Sequence, residues 1–297
     1  MSADSIAKAS TKVYETITQY RAWREGLSAG KAGSPTVGFV PTMGALHEGH
    51  MSLIARARQQ CDKVAVSIFV NPLQFAPHED FDRYPRPFEK DLAMCESMGV
   101  DAVFHPSVQE LYGSGSVREG TTVVPAAALT ATMEGAFRPG FFTGVATVVC
   151  KLFSIIRPTS AFFGEKDYQQ LQVIKRMVAD LNLPLTIEPV ATMREHDGLA
   201  MSSRNVYLSP DQRAIAPALQ RTLSTVRDEI LAGVKPDAAL ENGRRTLNSQ
   251  PGLIVQYLEA VNGETLEPIA GSQKSFVVLV AAKLGEVRLI DNLIVAD

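Results

Sequence analysis

The feature that most constrains this chain is an alternation: through its first two-thirds, short apolar runs take turns with helical patterns. Residues 37–40, 63–70, 102–105, 160–163 and 185–190 read as strands. Residues 51–60, 87–98, 142–156 and 168–181 read as the helices among them. Strands that are apolar throughout are buried on both faces, so the pattern predicts a parallel sheet covered by helices on each side. In such a Rossmann-like, doubly wound α/β sheet, ligands bind beyond the carboxyl ends of the strands, at the point where strand order reverses. Strand-to-helix junctions are therefore where chemistry is expected.

After Arg204 the character changes. Ser209-Pro-Asp-Gln212 offers an N-cap serine, proline at the first helical position and glutamine at the third. A helix is predicted from there to about residue 231, another over 236–248, and strands over 254–261, 276–283 and 286–290. Helices followed by antiparallel strands predict a separate, smaller α+β domain. The expected division is 1–192 for the catalytic α/β domain and 193–297 for the C-terminal one, and 297 residues suffice for both.

Apolar residues make up 45% and charged residues 21%, as in an ordinary globular protein, and the net charge of −3 gives no reason to expect nucleic acid as a partner. The three cysteines, Cys61, Cys95 and Cys150, are widely spaced, with no C-x-x-C pair. This fits a reducing compartment and argues against a cysteine zinc site. Met1–Ala9 has no apolar stretch behind a basic flank, and no run approaches the roughly 18–20 apolar residues of a spanning helix. The expectation is a cytoplasmic protein with no membrane partner.

Four segments at strand-to-helix junctions carry chemistry. Val37-Gly-Phe-Val-Pro-Thr-Met-Gly-Ala-Leu-His-Glu-Gly-His50 runs from a strand through two glycines into a helix expected to begin at about His50. A helix N-terminus presents unpaired N–H groups and suits a phosphate, and histidines three apart share one face. Alone, the pair also fits two surface histidines or part of a metal site, although it lacks H-E-x-x-H spacing. Ser67-Ile-Phe-Val-Asn-Pro-Leu-Gln-Phe75 places the amides of Asn71 and Gln74 on a proline-containing loop, fit either for directed hydrogen bonds or for a capped turn. Phe162-Phe-Gly-Glu-Lys-Asp-Tyr-Gln-Gln170 puts Lys166 beside another helix start, as a mobile point charge or a solvated lysine. Asp197-Gly-Leu-Ala-Met-Ser-Ser-Arg-Asn205 supplies hydroxyls and an arginine, which equally describes a hydrophilic linker. Together the four suit cleavage of a nucleoside triphosphate, where catalysis is mostly positioning and charge stabilisation.

These segments resemble, in order, those of the pantothenate synthetases (pantoate–β-alanine ligases) of the H-x-G-H nucleotidyltransferase superfamily, from about Val37 through Arg288-Leu-Ile-Asp-Asn-Leu293. The H-x-G-H element alone marks only the superfamily; the N-P-x-Q-F, G-E-K-D-x-Q-Q and S-S-R-N elements together are more specific. The resemblance implies an ATP-dependent condensation of pantoate with β-alanine through a pantoyl-adenylate, in a homodimer. ATP would be a substrate, with Mg2+ held mainly by its phosphates and no dedicated metal site. By that resemblance His50, His47, Lys166 and Arg204 are catalytic. Met43, Gly44, Ala45, Leu46, His47, Glu48, Gly49 and His50 would line the ATP site. So would Gly164, Glu165, Lys166, Asp167, Met193, Met201, Ser202, Ser203 and Arg204. Gln74, Gln170 and Asn71 would hold pantoate or β-alanine, the loop 74–84 would form a mobile cover, and the C-terminal domain would cover the site. Relatives often carry histidine where this chain has Phe141, so no polar role passes to that position. Two alternatives stay open: an adenylyltransferase for another small acid or a mononucleotide, and a non-catalytic nucleotide sensor.

Overall fold

The structure, a computed structural model, describes residues 10–28, 33–76, 79–115, 117, 119–271 and 273–296. In chain order the elements begin β1 (Lys12–Tyr14), α1 (Ile17–Gly26), β2 (Val37–Thr42), α2 (Glu48–Gln60), β3 (Lys63–Ile68), α3 (Phe88–Ser97) and β4 (Ala102–Phe104). They continue with α4 (Val108–Tyr112), α5 (Ala127–Thr130), α6 (Glu134–Phe137), α7 (Phe141–Ile156), β5 (Ser160–Gly164), α8 (Tyr168–Asp180) and β6 (Thr186–Val190). The last are α9 (Pro210–Ile215), α10 (Ala218–Leu231), α11 (Pro236–Asn248), β7 (Leu253–Val261), β8 (Phe276–Leu284) and β9 (Val287–Val295). Three single 3-10 turns matter below: Pro72–Gln74, Glu165–Asp167 and Ser203–Tyr207.

The chain forms two compact units. One comprises Met1–Val124, Thr143–Phe163 and Met177–Val190; the other comprises Pro125–Phe142, Gly164–Arg176 and Ala191–Asp297. The expected division at residue 192 treats the domains as consecutive segments. Contact instead groups 125–142 and 164–176 with the C-terminal part.

The first unit is built on a six-stranded parallel sheet ordered β1-β4-β3-β2-β5-β6. From β2 the chain steps outward through β3 and β4, then returns to place β5 on the other side. The order therefore reverses between β2 and β5, the switch point of a doubly wound sheet. Val37, Phe39, Val40, Val64, Ala65 and Val66 are all fully buried, which is why these strands show no polar alternation. β1 and α1 come from the first 36 residues, where the sequence pattern predicts no element. Thr16 and Gln19 form a capping box at the start of α1, and Tyr20 is buried against the rings of Tyr14, Trp23 and Phe104.

In the second unit β7-β8-β9 form an antiparallel sheet. β8 reads as an unbroken apolar run because both its faces are covered. Val278, Val280 and Ala282 pack with residues of α10 and α11, and Val277, Leu279 and Ala281 with Leu129, Met133 and Tyr257. Two boundaries differ from expectation. The helix predicted from Ser209 to residue 231 is two helices, α9 and α10, because Pro217 has no N–H to continue the ladder. The strand predicted over 286–290 continues to Val295, paired with β8 throughout.

Candidate active site

The loop leaving β2 is shaped from beneath by a residue that the motif does not include. Asp91, buried on α3, accepts the backbone N–H groups of Ala45 and Leu46 at 2.8 Å each. Burial pushes its carboxyl pKa above the usual range, while these two N–H bonds pull the other way. Gly44 has φ 79° and Ala45 φ 51°. Left-handed backbone at an alanine is strained, and the paired bonds to Asp91 hold it there. Of the expected ATP residues, Ala45 and Leu46 thus commit their N–H groups inward, and the Leu46 side chain is buried in the core. Glu48 is exposed, while Met43 and Gly49 are partly so.

α2 begins at Glu48, earlier than expected, and His47 is its N-cap. His47 Nδ1 accepts the N–H of Gly49 at 3.1 Å, and His50 Nδ1 accepts the N–H of His47 at 3.3 Å. This is a capping box built from two imidazoles, with ring centroids 4.1 Å apart. Because each Nδ1 accepts, each neutral ring carries its proton on Nε2. The cap thus places two imidazoles at a helix N-terminus beside the switch point.

At the end of β3, Asn71 caps the Pro72–Gln74 turn. Its Nδ2 donates to Gln74 Oε1 at 3.0 Å and to the Gly144 carbonyl at 3.1 Å. Its Oδ1 accepts from the Leu73 N–H at 3.3 Å and from the Tyr112 hydroxyl at 2.8 Å. All four bonding positions of the amide are filled by protein. Asn71, expected among the substrate contacts, has its amide positions taken by protein and holds Gln74 through its Oε1. Neither Tyr112 nor Gly144 is marked in the sequence; no local pattern signals a contact made across 41 or 73 residues. Of the expected cover loop, residues 77 and 78 lie outside the described residues. Phe75 and Tyr84 within that loop are buried in ring contact, centroids 5.8 Å apart. A cavity of about 640 Å³ opens beside Met43 and Gly44 and runs past Phe69 and Val70 to His105; His47, His50 and Gln74 do not line it.

β5 of the first unit ends at Gly164, where the second unit resumes, and the Glu165–Asp167 turn leads into α8. Lys166 Nζ lies 3.9 Å from Asp167 Oδ2. Lys166, Asp167 and Gln170 line a small cavity of about 20 Å³, room for one water, with Phe141, Tyr257 and Asp291. Gln169, next in sequence to Gln170, is structural: its amide donates to the carbonyls of Leu129 and Thr132 and accepts the N–H of Glu134. Met193 and Met201 are brought together by a backbone bond of 2.9 Å. Ser202 caps the Ser203–Tyr207 turn by accepting the Arg204 N–H at 3.2 Å. Asn205 and Arg213 brace this loop, Asn205 through Glu195 and the Ala200 carbonyl, Arg213 through Glu195 and Asp197. At Phe141 the Arg138 guanidinium stands 3.7 Å from the ring centroid, a cation–π contact in place of a polar side chain.

Among the described residues no cluster of three or more His, Cys, Asp or Glu side chains is placed to hold a metal ion, and no helix is long and apolar enough to cross a membrane.

A doubly wound sheet whose reversal point meets a donor-rich helix N-terminus is the architecture of nucleotide-binding α/β enzymes. The family model described as pantoate-beta-alanine ligase matches residues 12–294. A pantothenate synthetase of Chromobacterium violaceum is 52% identical, covering 95% of this chain and 98% of its own length. A pantothenate synthetase crystal structure from Thermus thermophilus superposes with a TM-score of 0.87 at 47% identity, over 95% of this chain and 98% of that one. A pantoate-beta-alanine ligase structure from Francisella tularensis, complexed with beta-gamma ATP and beta-alanine, gives 0.78 at 33% identity, over 96% and 98%. The chain belongs to the pantoate–β-alanine ligase family.

Proposed function

We propose that this chain joins pantoate to β-alanine at the expense of ATP, as its family membership supports. The pantoate carboxylate attacks the α-phosphorus of ATP, forming the mixed anhydride pantoyl-adenylate and expelling pyrophosphate. The β-alanine amine then attacks the acyl carbon, forming the amide of pantothenate, and AMP leaves with the former carboxylate oxygen.

Bringing a carboxylate to a polyphosphate sets like charges together, so the groups that matter are cations and N–H donors aimed at phosphate oxygens. The observation that carries this assignment is the double imidazole cap: with both Nδ1 atoms held by backbone N–H groups, His47 and His50 offer Nε2–H donors to the phosphates. His50 is the catalytic donor in this reading. Lys166, Ser202, Ser203 and Arg204 supply the remaining phosphate contacts, and Met43, Gly44, Gly49, Gly164, Glu165, Asp167, Met193 and Met201 surround the nucleotide. Ala45 and Leu46 act through the loop shape that Asp91 imposes. Gln74 and Gln170 hold pantoate, and Asn71 orients Gln74. Mg2+ enters with the ATP phosphates. A homodimer located in the cytoplasm completes the proposal, on family resemblance.

ATP–pyrophosphate exchange is the test. Exchange is expected with pantoate alone and absent with β-alanine alone; exchange indifferent to pantoate would point to an adenylyltransferase for another acid. ATP retention with no exchange at all would point to a sensor.

A further inference from the structure

Two phosphate-contact segments of the second unit, the Lys166 turn and the loop that ends in Met201–Arg204, are tied to one dipeptide on β9. Asn292 Nδ2 donates to the carbonyl oxygens of Glu165 and Lys166, at 2.8 Å each. Both amide hydrogens are thereby used on the turn that presents Lys166. Asp291 takes Arg194 bidentately, Oδ2 to Nη1 at 2.7 Å and Oδ1 to Nη2 at 3.0 Å. Arg194 also donates to the carbonyls of Asn292 and Gly198, at 3.0 Å each. Arg194 lies between Met193 and the residues of the phosphate loop, and the bridge Arg194↔Ala200 closes that loop into a narrow hairpin.

Asp291 and Asn292 are buried, 4% and 3% exposed, where an ionised or amide side chain is tolerated only when fully bonded. They are neighbours on an edge strand, so their side chains leave on opposite faces and can reach two different segments. Their backbone is fixed by pairing, Asp291 opposite Val280 and Asn292 opposite Leu279 in the fully covered strand β8. The Asp291 carboxyl also feels the charge of Lys166, behind the stronger influences of burial and Arg194.

We propose that Asp291 and Asn292 are positioning residues for adenylate formation: Asn292 sets the Lys166 turn, Asp291 sets the phosphate loop through Arg194, and β9 thereby fixes the spacing of the two cationic contacts. Neither residue touches substrate in this scheme. The proposal rests on the reading that Lys166 and Arg204 meet the phosphates.

The experiment is a double-mutant cycle on the full-length enzyme, read by pantoate-dependent ATP–pyrophosphate exchange and by thermal melting. Lys166→Ala, Asn292→Ala and their combination are compared, with Asp291→Asn as a milder second variant that keeps the shape of the site. A misplacement of about 1 Å at a reacting centre lowers rate by roughly 10²-fold. Asn292→Ala is expected to lower kcat of exchange by about that factor, with the KM for pantoate unchanged, and to add little in the Lys166→Ala background. Asp291→Asn is expected to lower kcat in the same direction, by less. If Lys166→Ala is inactive while Asn292→Ala and Asp291→Asn exchange normally per folded molecule, the positioning role is wrong and the phosphate reading stands. If the Asn292 and Lys166 effects multiply independently, the positioning role is likewise overturned. If Lys166→Ala itself exchanges normally, the phosphate reading fails and the positioning role with it. Should Asn292→Ala not fold, the cycle is run as Asp291→Asn against Arg204→Ala, the contact that Asp291 positions, and decides by the same outcomes.

Discussion

His47 and His50 brace one another: the N–H of His47 donates to His50 Nδ1 at 3.3 Å, and their rings stand 4.1 Å apart between centroids. Each imidazole thus does two jobs with two different nitrogens. Nδ1 closes the start of α2, and Nε2–H, on the far side of the ring, is the proposed phosphate donor. The two jobs can be separated by mutation.

Asparagine at 50 can reproduce the Nδ1 acceptor but not the distant donor; glutamine reaches the Nε2 position. His50→Asn is expected to melt close to the parent and to lose about 10²–10³ in kcat, the usual cost of one transition-state donor. His50→Gln should retain more exchange activity than His50→Asn. Equal activity in the two variants, measured as pantoate-dependent exchange, would remove the Nε2 role.

Asp91→Asn keeps the shape of the side chain but sets an NH2 group against one of the two N–H donors of Ala45 and Leu46. A buried donor left without a partner costs about 1–3 kcal/mol. Chemical denaturation should show that loss. Turnover of the folded fraction should also fall, because the Gly44–Ala45 backbone is no longer held; unaltered turnover would show that the loop keeps its form without Asp91.

Gly144 lies where α7 passes the Pro72–Gln74 turn, and a Cβ there would stand 2.2 Å from the Leu73 carbonyl oxygen. That neighbour is backbone and cannot rotate away. Gly144→Ala is expected to displace the turn, break the Asn71 bond to residue 144 and raise the KM for pantoate far more than that for ATP. Steady-state kinetics with each substrate varied in turn measures the difference; an equal rise in both KM values would contradict it.

Asp101 accepts from Arg58 at 2.5 Å, Lys63 at 2.7 Å and the Val64 N–H at 2.9 Å. Burial alone would raise its pKa, but the bonds from Lys63, Val64 and Arg58 outweigh it and hold the carboxyl below its ordinary value of 3.8. A lowered folded pKa gives stability that is complete above the unfolded pKa and disappears as pH falls through the folded one. Asp101→Asn should therefore cost about 1.5–3 kcal/mol at neutral pH, the range for bonds to a charged group. The gap between variant and parent should close under strongly acidic conditions. A gap that is constant with pH, in urea titrations, would show that the charge is not what stabilises the site.

How far the fold is legible in the sequence depends on how local its cause is. β2, β3 and β5 announce themselves because burial on both faces leaves no polar alternation to confuse with a surface strand. α1 escapes the pattern although Thr16 and Gln19 spell a capping box; its remaining residues are mostly polar and only Tyr20 is buried, so no apolar stripe marks it. The candidate site residues divide the same way. His47, His50 and Lys166 stand at junctions that sequence can locate. Asp91, Tyr112 and Gly144 act through contacts across 41 to 73 residues, and nothing in their own neighbourhoods distinguishes them. Asn71 is legible as a member of its loop but its duty is not, since only the full set of its four partners shows that no position remains for a ligand.

The double imidazole cap also bears on inhibition by transition metals. A ring that already accepts a hydrogen bond at Nδ1 carries hydrogen on Nε2, so neither nitrogen of His47 or His50 has a lone pair to offer zinc, nickel or copper. To coordinate such an ion the proton would have to migrate to Nδ1, where it would confront a backbone N–H and open the first turn of α2. In the proposed reaction the ATP phosphates would bring a divalent cation to this histidine pair. The cap lets these rings face that traffic without becoming a trap for it.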